Sequence, residues 1–133
     1  MTDTITPVLR ALVVATLLMA SATVMLVAVS QARAAGALAV GTCGAYGQAF
    51  DYSSVKAASI SARSKCKGKT CRVVATVRRG CAAYAVDFTN PCGGHGWGRA
   101  GKLGPAQNIA LRSCYHDGGK DCIIRTFFCD GKG

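Results

Sequence analysis

Apolar positions in this chain form one long uninterrupted run, followed by short periodic segments. The run, Ala11 to Val29, contains no charge and follows a single basic residue, Arg10. It stops at Ser30-Gln31-Ala32-Arg33-Ala34, where Ala32 and Ala34 place small residues at the two positions a signal peptidase requires. Residues 1–34 are therefore expected to be a secretory signal, removed after Ala34. A retained anchor is the alternative, since the 19 residues of the run approach the ~20 a helix needs to cross a bilayer core. Residues 35–133 form the expected mature domain, with no stable membrane span after cleavage. Either way the domain lies outside the cytoplasm, secreted or held at the cell envelope.

The periodic segments predict a succession of strands and helices. Ala45–Tyr52 reads as an extended segment with Tyr46, Gln48 and Phe50 on one face. Ser53 or Ser54 is a plausible N-cap for a helix in which Val55, Ala58/Ser59, Ala62 and Cys66 make a narrow face of small residues. A polar turn, Lys67-Gly68-Lys69-Thr70, precedes a β-rich run from Arg72 to Arg78, and Cys81–Phe88 follows as a further strand. After Asn90-Pro91 breaks the chain, His95–Ala100 reads as extended. Pro105 suits a first helical position, and Ala106, Ala110 and Ser113/Cys114 form a second small-residue face. Ile123–Cys129 is the last strand. The expected fold class is α+β: a mostly antiparallel sheet with two helices packed on it.

These segments repeat once. Cys43-Gly44-Ala45-Tyr46-Gly47-Gln48-Ala49 aligns with Cys92-Gly93-Gly94-His95-Gly96-Trp97-Gly98. Ala58, Ala62 and Cys66 align with Ala106, Ala110 and Cys114, and Cys71 aligns with Cys122. The repeats are taken as about 43–90 and 92–130, related by a pseudo-twofold. All eight cysteines lie downstream of the apolar run, an even number in an exported chain, which favours disulfides. Cys66 and Cys71 are close enough for a local bridge, and Cys114–Cys122 would be its copy. The remaining equivalents pair as Cys43–Cys92 and Cys81–Cys129, each expected to cross the pseudo-axis. Zinc is the weaker reading, because no C-x2-C pair occurs and the two histidines are isolated.

Composition changes the picture chiefly through charge. Sixteen Lys and Arg face six acids, for a formal net charge of +10. Beyond residue 34 the acids are Asp51, Asp87, Asp117, Asp121 and Asp130, with no Glu. Lys65, Lys67, Lys69 and Arg72 bracket the first turn, and Arg78 and Arg79 lie at the other end of the following strand. They are the candidate anion-binding residues, for an envelope polymer, a lipid headgroup or a host protein. Tyr46, Tyr84 and Trp97 could stack on bases, but no recognition motif is present and export removes a genomic target, which argues against nucleic acid. A solvated basic surface is the competing reading. Trp97 is expected to pack, because its counterpart Gln48 sits among apolar neighbours.

Catalytic chemistry is thinly supported. His95 sits among glycines that would orient an imidazole poorly, and His116 beside Asp117 is the one possible His–Asp pair. No nucleophile elbow surrounds a serine, and paired cysteines leave no thiol. Asp117 and Asp121 do not complete a calcium loop, because the bidentate Glu is missing. Neither catalytic residues, metal ligands nor a cofactor are assigned.

The run Ala45-Tyr46-Gly47-Gln48-Ala49, the alanine-spaced helix to Cys66, Cys71-Arg72-Val73-Val74, Cys81-Ala82-Ala83-Tyr84-Ala85-Val86 and Gly96-Trp97-Gly98 together resemble the bacterial secreted family known as "domain of unknown function 4189". The resemblance covers about 43–130, and Cys43 and Cys92 depart from the family's common pattern. It implies a small exported protein and brings no catalytic residues. The expected function is that of an exported, non-catalytic binding or effector protein at the cell envelope or on a host. A structural or stress-resistant surface component, or a hydrolase-like enzyme using His116 and Asp117, are the alternatives.

Overall fold

The structure, a computed structural model, describes residues 34–131. Most of the expected signal segment, 1–33, lies outside the described residues. The elements run β1 (Ala35–Val40), a 3-10 turn (Thr42–Gly44), β2 (Tyr46–Tyr52), α1 (Val55–Lys65), β3 (Arg72–Val77), β4 (Gly80–Asp87), β5 (His95–Ala100), α2 (Leu103–His116) and β6 (Cys122–Asp130).

The fold is α+β and antiparallel, but the strands divide between two sheets rather than one. Their orders are β2-β1-β3 and β5-β4-β6, with every pairing antiparallel. The central strands, β1 and β4, are buried at every residue. Leu38, Val40, Ala75 and Val77 of the first sheet meet Ala82, Tyr84, Val86 and Phe128 of the second. The opposite face of the first sheet, through Ala37, Ala39 and Ala49, packs on Ala58 and Ala62 of α1 and on Cys66, which caps its end. The opposite face of the second, through Cys81, Ala83 and Ala85, packs on Ala106, Ala110 and Cys114 of α2. The layers are therefore helix, sheet, sheet, helix. A strand buried on both faces reads as a continuous apolar stretch, which is why Ala35–Val40 gave no alternating signal beside the signal segment.

Small residues set the spacing between helix and sheet. A Cβ on Gly47 of β2 would collide with the Ala62 carbonyl oxygen of α1, and one on Gly98 of β5 with the Ala106 carbonyl oxygen of α2. Ser54 caps α1, its Oγ accepting from the Ala57 amide at 3.1 Å. α2 begins at Leu103, so Pro105 is its third residue rather than its first; it still sits in the turn whose amides need no helical acceptor.

The repeat boundaries also differ from expectation. The strand around Cys81–Phe88 is the centre of the second sheet, not the end of the first half. The recurring order β-β-α-β thus spans β1–β3 and β4–β6, in place of 43–90 and 92–130. Register supports this division: Val40 pairs Tyr46 where Val86 pairs His95, and the pairing with the third strand slips at Leu38/Ala39 and at Tyr84/Ala85. The bridges are Cys43–Cys92, Cys66–Cys71, Cys81–Cys129 and Cys114–Cys122. Because β4 belongs to the second half, Cys81–Cys129 joins neighbouring strands of one sheet instead of crossing between halves. Among the described residues, Cys43–Cys92 is the disulfide that links the halves.

Candidate anion-binding site

The basic residues do not make one patch. β3 separates Arg72 from Arg78, and six residues of strand span roughly 20 Å. Lys65 ends α1, while Lys67 and Lys69 stand on the turn closed by the Cys66–Cys71 bridge; all three are exposed. Arg72 is drawn instead to Trp97, its guanidinium carbon 5.8 Å from the ring centroid. Trp97 is half-buried against the layer between the sheets, so its inner side packs and its outer side carries the arginine.

At the far end of β3 the chain passes from one sheet to the other through Arg78 and Arg79, the latter with φ of +55°. β5 brings Arg99 to the same place, and its Nη1 donates to the Thr76 carbonyl oxygen at 3.3 Å. Thr76, Arg78, Arg79, Arg99 and Gly101 line an open cleft of about 360 Å³ whose lining contains no carboxylate. Sequence reasoning found Arg78 and Arg79 but missed Arg99. Its charge was visible, but the strand-to-strand approach that delivers it was not.

A second cleft, of about 350 Å³, is lined by Val40, Gly41, Thr42, Thr70, Arg72 and His95. Here the structure pairs Asp117 with His95 rather than with its neighbour His116. His95 Nδ1 lies 3.1 Å from Asp117 Oδ2, and the His95 backbone N–H donates to the same oxygen at 3.1 Å. Asp117 caps α2 and turns back toward the start of β5, while His116 stays exposed on the helix. His95 also sits 6.2 Å, ring to ring, from Trp97.

Asp87 holds this end of the second sheet together. Its Oδ1 accepts from the Thr89 amide (3.0 Å), the Thr89 hydroxyl (2.8 Å) and the Asn90 amide (3.1 Å), and its Oδ2 from the Lys120 amide at 2.7 Å. The Lys120 amide above all, and then the Thr89 hydroxyl, hold its carboxyl well below the usual carboxylate range. The loop that leads from β4 to His95 and the turn that follows Asp117 are thereby clamped to one buried group. Among the described residues no cysteine is free, and no group of three His, Cys, Asp or Glu could hold a metal ion.

The structure thus defines a disulfide-bonded helix–sheet–sheet–helix domain with these two clefts lined by cations and hydroxyls. The family model described as "Domain of unknown function (DUF4189)" matches residues 35–129, and the chain belongs to this family. Neither the curated proteins nor the solved structures contain a match to the chain.

Proposed function

We propose that this is an exported binding protein that takes anionic groups into the cleft formed by Arg78, Arg79 and Arg99. The convergence of three guanidinium-bearing side chains from two elements on a cleft lined by no carboxylate carries the reading. Guanidinium forks match phosphate and carboxylate oxygens in paired hydrogen bonds. An envelope polymer bearing phosphates or an anionic lipid headgroup has the matching chemistry. Four disulfides are consistent with an extracellular location.

The test is retention of the oxidised protein on heparin and on vesicles containing anionic lipid, across a range of ionic strength. Retention is expected to fall steeply with salt, because exposed charges are screened within about 10 Å at 0.1 M. Replacing Arg78, Arg79 and Arg99 with Gln should weaken it more than replacing Lys65, Lys67 and Lys69. Equal weakening would reduce the cleft to general surface charge, and salt-insensitive retention would remove the electrostatic reading altogether.

A hydrolase-like reading draws on a different observation, the His95–Asp117 pair beside Arg72, Thr42 and Thr70. It has an oriented imidazole but no activated nucleophile, and it ranks second. Loss of a measured hydrolytic activity on His95→Ala, with no loss on His116→Ala, would bring it forward.

A further inference from the structure

One buried charge in the domain lacks a counterpart. Asp130 ends β6 and is fully buried; neither carboxylate oxygen meets a partner in full hydrogen-bonding geometry, although the backbone amides of Asp51 and Gly131 lie near enough to favour its charged form. Asp87, also a buried carboxylate at the end of a strand, has four donors. Burial first, and the nearby charge of Asp51 second, push the Asp130 carboxyl up from its ordinary value. Proteins retain such a group when a cation or a set of donors completes it.

The neighbouring chain suggests where that cation comes from. Phe128, two residues before Asp130, lies against Gly36 of β1. Gly131, the residue after Asp130, lies against Ala34: a Cβ placed on it would stand 3.7 Å from the Ala34 Cβ and 3.4 Å from the Arg79 Cα. Ala35 pairs with Tyr52, next to Asp51, and is fully buried. Ala34 and Ala35, between which Ala32-Arg33-Ala34 directs a signal peptidase, thus lie beside Gly131 and Tyr52, the chain neighbours of Asp130 and Asp51.

We propose that export creates the missing partner: cleavage between Ala34 and Ala35 leaves an α-ammonium on Ala35 that forms a buried ion pair with Asp130. Water supplies the atoms, its hydroxyl completing the Ala34 carboxylate and its hydrogen going to the Ala35 nitrogen. That nitrogen then takes a proton from solvent at neutral pH. Before cleavage it is a neutral amide with one donor. Afterwards it carries a charge and three donors, for a buried acceptor that has no cation. Each charge offsets the burial of the other, which neither could sustain alone. The pair pins the start of β1, the central strand of the first sheet, so the finished domain gains stability only once the leader is gone. Asp51 is exposed and Arg79 lines the cleft, so neither replaces this contact.

This inference rests on the export reading, and the experiment separates the two. N-terminal sequencing of the exported protein is expected to begin at Ala35; another start overturns the cleavage on which the pair depends. The thermal midpoint of oxidised protein beginning at Ala35 is then compared with that of its Nα-acetylated form. Acetylation is expected to lower the midpoint by about 4 °C or more, and to have no such effect in Asp130→Asn. A midpoint unchanged by acetylation, or lowered equally in both backgrounds, overturns the pair. Should Asp130→Asn not fold, the pH dependence of Nα-acetylation in the native protein decides. A paired ammonium titrates above the ordinary value of about 7.7–8.0, and titration at or below it overturns the proposal.

Discussion

Individual residues carry opposite electrostatic designs in this domain. Asp87 is over-supplied with donors, and its depressed pKa makes it a source of acid sensitivity. A group of that kind contributes stability in full above its unfolded value, near 3.8, and loses it as pH falls below that value toward the folded one. Asp87→Asn is therefore expected to lower the thermal midpoint at neutral pH and to flatten its decline between about pH 5 and pH 2. Parallel midpoint curves for the two proteins would show that the carboxylate is not the acid-sensitive group. The charge of Asp87 was legible in the sequence. Its strongest donor was not, because the Lys120 amide lies 33 residues away along the chain. The same limit explains His95, whose partner Asp117 is 22 residues distant, while the adjacent His116 looked the better candidate.

At the scale of elements, the fold depends on the lack of side chains where helix meets sheet. The alanine faces of α1 and α2 were readable at helical spacing, and Ala58, Ala62, Ala106 and Ala110 are all fully buried. The glycines opposite them, Gly47, Gly96 and Gly98, read only as loose extended segments. Their use became visible once the helix backbone was seen in contact with them. Gly47→Ala would drive a Cβ into the Ala62 carbonyl and within 2.6 Å of the Cys66 amide nitrogen, backbone atoms that cannot swing aside. A loss of about 1–3 kcal/mol is expected by denaturant titration. Gly104→Ala, where a side chain meets open space, should be neutral or stabilising by up to about 1 kcal/mol. Similar losses at both positions would mean that helix–sheet contact is not the constraint.

For the whole molecule, covalent links carry much of the stability of a domain this small. Cys81–Cys129 and Cys43–Cys92 close loops with sequence separations of 48 and 49, against 5 for Cys66–Cys71. Loop-closure entropy assigns about 4 kcal/mol to each long bridge and about 2 to the shortest. Full reduction is expected to abolish the near-ultraviolet circular dichroism of Tyr84 and Trp97, and Cys81→Ala/Cys129→Ala to cost more than Cys66→Ala/Cys71→Ala. A reduced protein that keeps its signal would place the stability in the core alone. The helix faces, most strands and the duplicated cysteine spacing were legible from the chain alone, because each is encoded between residues a few positions apart. Folding decided the rest: the division into two sheets, the burial of β1, the arginine cleft and the buried carboxylate of Asp130. Each of these joins distant segments, and the distance between two such segments is set by how layers pack, which no local periodicity records.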